Sequence, residues 1–366
     1  MKIIVLSHPK DDHAAPVQWA LAQAGYQADC WSGVSWTEQE QASLLTGRQP
    51  RIFLGTHELE TSDTVWLRQP GRSGHDLEIS GAEEPVSSGF PASFDSVAYM
   101  LEALPMRCVN KYSASRLVRN KGVQLYLAGA SGLKVPDTLM SNSPAAVRDF
   151  FNRYPDNAIC KPFAGHIWQQ QGSEEISVTE TFCLTREQLP PDDEIFTYSP
   201  AIYQQMVAKE FDVRVVMMED RIYSFALRTP ENSLDWRFDA AVRNLSVEIV
   251  RTPPEVEAGL RLFRQKTGAC FGVMDFAVDR TGTWWFLEIN EEGQFLWLDR
   301  FNPEAGLLQK FCAFLTATLE STQSLEERQE RFPSLAEYEQ CHPDEKALDI
   351  TAAVAEAEYK SMEPSK

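Results

Sequence analysis

Residues 284–299 read WWFLEINEEGQFLWLD, an apolar stretch in which Glu288 and Asn290 stand two positions apart. Side chains two residues apart in a β-strand lie on the same face of the sheet. A carboxylate and an amide therefore share one face of a strand that is otherwise rich in Trp, Phe, Leu and Ile. Because burying polar groups without partners is costly, this face is predicted to hold a partner for both.

The residues just before this stretch predict that the strand belongs to a hairpin. Residues 272–290 read GVMDFAVDRTGTWWFLEIN, in which two β-rich runs flank the short polar connection RTGT. If the tip lies in the centre of RTGT, Ala277 is opposite Phe286 and Asp275 is opposite Glu288. The pattern thus predicts two carboxylates that face each other across neighbouring strands.

The facing carboxylates, Asp275 and Glu288, need a compensating proton or charge. Directly opposed side chains lie about 5 Å apart at Cβ, where like charges destabilise the pair. At an effective dielectric constant of about 20, their repulsion approaches roughly 3 kcal/mol. Either one carboxyl group is protonated or a cation lies between the two, and the amide oxygen of Asn290 favours a hard cation such as Mg²⁺. A surface hairpin whose polar residues only meet water is the alternative.

The composition is that of a globular protein and argues against one functional class. The 366 residues, 43% hydrophobic and 24% charged, predict two or three packed units. The formal net charge of −19 argues against nonspecific binding of nucleic acid, which needs clustered Lys and Arg. Part of the acidity lies in residues 321–366, which are predicted to form a peripheral helix or to be disordered.

The sequence predicts a cytoplasmic protein without a membrane segment. No apolar run reaches the length of a membrane span, and the first residues lack the features of a signal peptide. Seven scattered cysteines, never spaced as CxxC, fit reduced thiols better than disulfides or zinc ligands. His8 and His13 lack a second ligand pair at metal spacing and are expected at the surface.

Apolar runs, turn residues and helix caps predict the order of elements along the chain. The first part is predicted to contain a strand at 3–6, a helix at 16–24, a strand at 65–67, a polar loop or linker at 74–91 and a helix at 94–104. The rest is predicted to contain a helix that stops near 129–132, a helix capped by Ser143, a buried strand with Lys161, two strands turned at Glu219 and Asp220, and a helix at 254–267.

Five short motifs, taken in order, resemble the ATP-grasp superfamily of carboxylate ligases. They are Lys121 ahead of GLKVPDT at 132–138, KP at 161–162, QQMV at 204–207, DVRVV at 212–216, and Asp275 followed by EIN at 288–290. Within the superfamily, four stretches resemble the maturases of ribosomal peptides of the microviridin or graspetide type. These are VWLRQP at 65–70, SGLKVPDTLMSNSPAAV at 131–147, LDWR at 234–237 and the whole of 288–299. The resemblance covers about residues 1 to 320.

The resemblance implies how ATP would be held. Lys121 and Lys161 would contact phosphate oxygens, for which compact point charges are suited; a solvated helix residue is the alternative for Lys121. The adenine base would be read by the backbone of a hinge made of Gln204, Gln205, Met206 and Val207. The chain departs from the superfamily after the KP strand, where Gly165 and Gly172 flank His166 in place of a glycine-rich loop.

The resemblance also assigns the metal and the activating cations. Arg214 and Arg237 would face the phosphates or the carboxylate to be activated. Salt bridges to Asp212 and Asp235 are the alternative for these two arginines. The Mg²⁺ ligands would be Asp275, Glu288 and Asn290.

The implied fold class is α/β (α+β), an ATP-grasp fold with the nucleotide held between two α+β subdomains. A pre-grasp α/β domain at 1–110 would precede subdomains at 111–200 and 201–320, with an acidic tail at 321–366. The implied enzyme is an ADP-forming carboxylate-amine or carboxylate-alcohol ligase that uses ATP and Mg²⁺, with an acyl phosphate as intermediate. By resemblance the partner is a precursor peptide whose Asp or Glu side chains are joined to Ser, Thr or Lys side chains.

Two other functions stay open at this point. One is a ligase that joins free amino acids, or adds an amino acid to a small carboxylate substrate or a peptide. The other is a nucleotide-binding module without turnover, against which the intact set of candidate residues argues. The sequence also leaves a homodimer open.

Overall fold

The protein has a mixed α/β architecture built on several sheets. The computed structural model describes residues 1–7, 11–33, 41–68, 84–156, 158–161, 163, 167–169, 176–178, 182–197, 199–229, 245–317 and 324–343. Within these ranges the strands form one five-stranded, two four-stranded and one three-stranded sheet, with a separate two-stranded hairpin. No helix in the same ranges combines the length and the apolar character that a membrane crossing requires.

The described residues of the N-terminal part form two sheets and two helices. Its elements are β1 (Lys2–Leu6), α1 (Ala14–Gln23), β2 (Gln27–Trp31), β3 (Ala42–Leu45), β4 (Arg51–Leu54), β5 (His57–Glu58), β6 (Thr64–Leu67), α2 (Glu84–Ala103) and β7 (Arg107–Val109). One sheet is parallel, in the order β2-β1-β6-β7, and the other is an antiparallel sheet of β3, β4 and β5. The side chains of Ile3, Ile4, Val5 and Leu6 are at most 1% exposed, so both faces of β1 are covered, as in other parallel sheets.

Most of the predicted elements of this part are confirmed. The strand predicted at 3–6, the helix at 16–24 and the strand at 65–67 correspond to β1, α1 and β6. The loop predicted at 74–91 is wrong for residues 84–91, because α2 begins at Glu84. Pro85 lies in its first turn, where the missing N–H costs no helical hydrogen bond. Residues 74–83 lie outside the described ranges.

The central part forms a small antiparallel sheet in the order β12-β9-β13-β8. Its elements are α3 (Tyr112–Arg119), α4 (Lys121–Ala130), β8 (Thr138–Ser141), α5 (Pro144–Arg153), β9 (Ala158–Lys161), β10 (Ile167–Gln169), β11 (Ile176–Val178), β12 (Phe182–Leu184), α6 (Glu194–Thr197) and β13 (Ala201–Gln205). Two helices replace the one predicted before residue 129, because Asn120 is extended and its side chain caps α4 at Val123 N–H. The cap predicted at Ser143 is confirmed.

The C-terminal part is built on an antiparallel sheet in the order β16-β15-β14-β17-β18. Its elements are β14 (Lys209–Met218), β15 (Arg221–Arg228), β16 (Ser246–Val250), α7 (Pro254–Thr267), β17 (Phe271–Asp279) and β18 (Trp284–Asn290). The predicted turn at Glu219 is confirmed, with Glu219 at φ 55°. The helix predicted at 254–267 is confirmed as α7, and Gly268 at φ 72° ends it in the left-handed conformation.

Helices follow the last strand and continue into the acidic C-terminal segment. They are α8 (Trp297–Phe301), α9 (Leu307–Leu315), α10 (Leu325–Gln329) and α11 (Leu335–Cys341). Residues 324–343 are therefore largely helical, which was one of the two expectations for this segment. Phe332, Leu335 and Tyr338 are buried in the core, and Tyr338 contacts Trp19 of α1 edge-on. This stretch thus packs on the N-terminal part.

Two hydrophobic clusters cover the two faces of the five-stranded sheet. Val216 of β14 belongs to the cluster that includes Trp66 of β6 and Phe311 of α9. Val215, its neighbour, belongs to the cluster on the other face, which includes Phe263 of α7. The alternation of side chains along β14 therefore makes this sheet the layer between the N-terminal part and the helices α3, α4 and α7.

Asn110, directly after β7, joins the N-terminal part to the five-stranded sheet. Its side chain is 1% exposed. Nδ2 donates to the carbonyl of Phe271 over 2.8 Å and to that of Glu291 over 3.4 Å. Oδ1 accepts from the N–H groups of Cys270 and Phe271 over 2.8 and 2.9 Å. One buried side chain thus satisfies backbone groups at the start of β17 and after the end of β18.

We expect Asn110→Ala to lower the free energy of unfolding by about 2 to 4 kcal/mol, because it leaves buried backbone groups without partners. Equilibrium urea denaturation measures the change. Asn142→Ala is the matched control, since exposed Asn142 donates one hydrogen bond of 3.4 Å to the carbonyl of Thr197. Equal effects in the two variants would contradict the bridging role of Asn110.

Candidate active site

Three neighbouring strands place Arg214, Asp275 and Glu288 side by side. Arg214 of β14 pairs with Asp275 of β17, and Asp275 pairs with Glu288 of β18. Side chains that are paired across adjacent strands project from the same face of the sheet. The predicted meeting of two carboxylates is confirmed, and an arginine stands beside them.

The hairpin register is predicted correctly at the carboxylate pair and wrongly nearer the tip. The prediction placed Ala277 opposite Phe286, but in the structure Phe286 pairs with Phe276. An irregularity after Asp275 leaves Leu287 as an extra residue in β18. Such a bulge shifts the pairing on one side of it and preserves the pairing on the other.

The hairpin tip is longer than the two-residue turn that was assumed, and Asp279 organises it. The N–H of Asp279 donates to the carbonyl of Thr283 over 3.1 Å. Asp279 Oδ1 accepts from the N–H of Thr281 over 2.8 Å, and Oδ2 accepts from Trp285 Nε1 over 2.9 Å. The hydrogen bond from the Thr281 hydroxyl, followed by that from Trp285, lowers the pKa of Asp279 to about 2. The longer tip and the bulge at residue 287 together restore the predicted carboxylate pair.

Each of the two carboxylates has a cation of the protein as its partner. Arg214 Nη1 donates to Asp275 Oδ1 over 2.7 Å, and Lys121 Nζ donates to Glu288 Oε2 over 2.5 Å. The Arg214 and Asp275 side chains are 8% and 22% exposed, whereas those of Lys121 and Glu288 are 33% exposed each. The sequence had suggested a shared proton or one cation between the carboxylates. In the structure two side-chain cations, one on each carboxylate, offset the repulsion.

Arg214 is held on two sides besides its ion pair. Its Nη2 donates to the carbonyl of Gln294 over 2.8 Å, and its guanidinium lies 5.9 Å from the centre of the Trp297 ring. The alternative of a salt bridge between Arg214 and Asp212 is wrong, because Arg214 forms its ion pair with Asp275, and Asp212 pairs with Lys209 over 2.5 Å. These contacts fix the direction of the guanidinium next to the carboxylates.

Asn290 uses its side chain to shape the chain after β18. Its Oδ1 accepts from the N–H groups of Glu292 and Gly293, both over 3.0 Å. An amide oxygen has two lone pairs, and these two hydrogen bonds engage both. Asn290 would have to exchange one of them in order to bind a metal ion.

The donor chemistry of this face fits a hard divalent cation. Asp275 and Glu288 supply carboxylate oxygens, and Asn290 supplies an amide oxygen on the same strand. Among the described residues, no group of three or more His, Cys, Asp or Glu side chains is placed to hold a metal ion. An ion here would take few protein ligands and complete its shell with other oxygens, as Mg²⁺ does.

The second lysine, Lys161, lies in the small antiparallel sheet. It ends β9, and its Nζ donates to Gln204 Oε1 over 3.0 Å. Gln204 is 1% exposed, and its Nε2 donates to Thr138 Oγ1 over 2.8 Å. Gln204 was proposed only as a backbone contributor to the hinge, but its side chain orients Lys161.

The other hinge residues, Gln205, Met206 and Val207, end and follow β13. The N–H of Gln205 donates to the carbonyl of Asp137, and the carbonyl of Val207 accepts from the N–H of Lys209, both over 2.8 Å. Met206 Sδ lies 3.5 Å from Cys183 Sγ of β12. The hinge is thus anchored on both sides of Met206, while its contact with adenine stays a prediction.

Arg237, His8 and His166 lie outside the described residues. The structure therefore bears on every candidate site residue except Arg237.

His13 was expected at the surface, which is wrong. It is 3% exposed, and its Nε2 accepts from the N–H groups of Phe295 and Leu296 over 2.9 and 3.2 Å. Burial, followed by the nearby charge of Arg68, lowers the pKa of His13 to about 3. The ring is therefore neutral near pH 7 and can act as an acceptor.

Sequence reasoning also missed the functional pattern to which His13 belongs. His13, Arg68 and Asn110 follow the parallel strands β1, β6 and β7. Residues at the carboxyl ends of parallel strands meet at one edge of the sheet, where functional side chains collect. Polar residues placed after predicted parallel strands were the signal that could have identified them.

The structure is similar to solved ATP-grasp ligases. The macrocyclase MdnC of Microcystis aeruginosa MRC, bound with precursor peptide MdnA, matches with a TM-score of 0.71 and 21% identity, over 86% of this chain and 99% of MdnC. A RiPP-associated ATP-grasp ligase of Chryseobacterium gregarium, in complex with ADP and a leader and core peptide, matches with a TM-score of 0.70 and 19% identity, over 91% and 98% of the two chains.

A third similar structure is the ATP-grasp ligase PsnB, complexed with a phosphomimetic variant of a minimal precursor, Mg and ADP. It matches with a TM-score of 0.67 and 21% identity, over 86% of this chain and 97% of PsnB. No family model matches the chain, and no curated protein matches its sequence. The three structural matches cover at least 86% of this chain and at least 97% of each solved chain. The chain therefore has the ATP-grasp fold.

Proposed function

We propose that the chain is an ADP-forming ligase that activates a carboxylate with ATP and joins it to an alcohol or an amine. The observation that carries this proposal is the row of charges Lys121, Glu288, Asp275 and Arg214 on an ATP-grasp fold, in which two cations flank two neighbouring carboxylates. A fold kept only for nucleotide binding has no need to hold two carboxylates face to face. The row instead suits the binding of a metal ion and the transfer of a phosphoryl group.

Lys161 and Lys121 are proposed to bind the phosphates of ATP. Lys161 is oriented by a buried glutamine, so its ammonium group has a defined position. The pair of Lys121 with Glu288 is one-third exposed on both sides and contributes about 0 to 1 kcal/mol. Lys121 can therefore exchange Glu288 for a phosphate oxygen at small cost. The hinge of residues 204–207 is proposed to read the adenine.

Asp275, Glu288 and Asn290 are proposed to hold Mg²⁺. Bound there, the ion would neutralise charge on the ATP phosphates. Lys121 and Arg214 offset the repulsion between the two carboxylates until the ion arrives. For Asn290 this role requires that the N–H of Glu292 or Gly293 give up its present acceptor.

Arg214 is proposed to contact the phosphoryl group as it passes to the substrate carboxylate. Its direction is fixed by Asp275 and the Gln294 carbonyl, and such preorganised cations stabilise charge that develops in a transition state. Arg237, in the LDWR motif, is proposed to hold the substrate carboxylate. The product of the first step is an acyl phosphate, from which the alcohol or amine displaces phosphate.

A precursor peptide is the proposed substrate. The similar ligases MdnC and PsnB, and that of Chryseobacterium gregarium, were solved with precursor, leader or core peptides. We further propose that residues 1–110 form a pre-grasp domain, that 111–200 and 201–320 form the two grasp subdomains, and that 321–366 form an acidic C-terminal segment. The cytoplasmic location and a homodimer stay predictions of the sequence.

ADP release with and without candidate peptides tests the proposal. A ligase of this type should release ADP with a peptide rich in Thr, Ser, Asp and Glu, and each new link should lower the peptide mass by one water. ADP release with free amino acids alone would favour the amino-acid ligase. Nucleotide binding without ADP release in any mixture would identify a non-catalytic module.

We expect Glu288→Gln to abolish ADP formation and to change the thermal midpoint little. The substitution removes a metal ligand, but it also removes both the repulsion with Asp275 and the one-third-exposed pair with Lys121. Glu248→Gln is the matched control, because Glu248 forms a partly exposed ion pair with Arg228 in the same sheet. Full turnover of Glu288→Gln at saturating Mg²⁺ would refute the metal assignment.

Lys161→Met should weaken ATP binding about 10-fold or more, because the apolar stem is kept while the charge that contacts phosphate is lost. Isothermal titration with a non-hydrolysable ATP analogue measures the affinity. Exposed Lys266, in the last turn of α7, supplies the control Lys266→Met. An unchanged affinity in Lys161→Met would assign Lys161 a structural role only.

Arg214→Lys should lower kcat by about 100-fold and change the KM for ATP little, because it keeps the charge but loses the planar fork that fixes its direction. Arg237→Ala should instead raise the KM for the peptide. Steady-state kinetics with ATP and peptide varied separately distinguish the two effects. Wild-type kinetics in both variants would make the arginines structural.

A further inference from the structure

The post-hairpin loop (residues 291–296) connects β18 to α8 and carries the acceptor that orients Arg214. The carbonyl of Gln294 accepts from Arg214 Nη2 over 2.8 Å and from Trp297 Nε1 over 3.1 Å. Arg214 is thus fixed between Asp275 on one side and a loop backbone on the other. The position of this guanidinium depends on the conformation of the post-hairpin loop.

His13 of the N-terminal part holds the post-hairpin loop immediately after Gln294. Its Nε2 accepts from the N–H groups of Phe295 and Leu296, and its ring lies 5.5 Å from the ring of Phe295. A neutral imidazole that accepts at Nε2 carries its proton on Nδ1. This side chain therefore supplies one buried acceptor to two backbone donors that follow the Gln294 carbonyl.

Arg68 holds the same loop just before Gln294. Its Nη1 donates to the carbonyl of Glu292 over 2.6 Å, and its Nε lies 3.3 Å from Asp11 Oδ1. Asp11 in turn accepts from the N–H groups of His13 and Ala14 over 2.9 and 2.8 Å. Arg68 is 2% exposed and Asp11 is 8% exposed. Asp11 thus connects the arginine and the histidine in one buried group.

We infer that His13 and Arg68 are positioning residues for Arg214, which they orient through the backbone of the post-hairpin loop. This inference rests on the proposed role of Arg214 in phosphoryl transfer. The two residues bracket Gln294, since they bind the backbone two residues before it and one and two residues after it. The N-terminal part thereby contributes to catalysis through the position of Arg214.

Arg119 also binds the post-hairpin loop, but through side chains of the loop and not through its backbone. It pairs with the side chains of Glu291 and Glu292, over 2.7 and 2.5 Å. These contacts hold the start of the loop by its side chains. The backbone beside Gln294 is held by His13 and Arg68, so loss of His13 should disturb the orientation of Arg214 while the loop stays attached.

The test compares His13→Leu, which has no acceptor, with His13→Gln, whose side-chain oxygen reaches the place of Nε2. Asp63→Leu is the matched control in the same part of the chain. Asp63 is 1% exposed and accepts from the N–H groups of Lys2 and Glu60 over 2.7 and 2.9 Å. Its replacement likewise deprives two backbone donors of an acceptor, but away from the loop.

Two readouts are independent of turnover. Hydrogen exchange followed by mass spectrometry should be faster in His13→Leu for a peptide covering residues 292–298. The Nε–H resonance of Arg214, assigned by its disappearance in Arg214→Lys, should shift or broaden in the same variant. His13→Gln should restore both signals toward wild type, and Asp63→Leu should leave both unchanged.

The third readout is kinetic. His13→Leu should lower kcat about 10- to 100-fold with little change in the KM for ATP. A displaced Arg214 would stabilise the transition state less, whereas the binding of ATP in the ground state would change little. Wild-type exchange at 292–298 in His13→Leu, failure of His13→Gln to restore the signals, or an equal kcat loss in Asp63→Leu would each overturn the inference. If the wild type releases no ADP with any peptide, the proposed function fails, while exchange and resonance still decide whether His13 orients Arg214.

Discussion

Two facing carboxylates, Asp275 and Glu288, are the constraint around which this structure is arranged. Their uncompensated repulsion would approach roughly 3 kcal/mol at about 5 Å. The protein compensates with Arg214 from the adjacent strand and with Lys121 from a helix 167 residues away along the chain. The resulting row, two carboxylates between two cations, crosses three strands and one helix, so the sheet and α4 must come together for the pair to be tolerated.

The two ends of this row differ in burial, and therefore in what they can do. Removing one partner of a buried ion pair costs about 3 to 5 kcal/mol, whereas a surface pair contributes about 0 to 1 kcal/mol. The Arg214 side chain is 8% exposed, and the Lys121 side chain is 33% exposed. The inner pair thus maintains the geometry of the site. The outer pair can change partners when a ligand enters, without loss of the fold.

The N-terminal part supports this site through hydrogen bonds to backbone atoms. His13, Arg68 and Asn110 each follow a parallel strand, and each binds N–H or carbonyl groups near the ends of β17 and β18. Buried polar groups must be paired, so these contacts are required once the parts are packed together. Because they involve the backbone, they hold the loop whatever side chains it carries. The carboxyl edge of a parallel sheet, where other proteins bind ligands, here holds a segment of the same chain.

The sequence by itself determined the features that depend on local periodicity and turn chemistry. These include β1, α7 and the turn at Glu219, because each follows from residues close together in the chain. The pairing of Asp275 with Glu288 was predicted correctly because the longer hairpin tip and the bulge at Leu287 offset each other. The bulge at Leu287 escaped prediction because the alternation of side chains does not reveal where an extra residue enters a strand.

Only the tertiary structure decided which groups compensate and orient the site. Lys121 as the partner of Glu288, Gln204 as the partner of Lys161, and His13 as an acceptor for the post-hairpin loop join positions 167, 43 and 282 residues apart. No local pattern specifies such pairs. They arise because packing removes water from polar groups, which must then bind whatever complementary group the fold brings within reach.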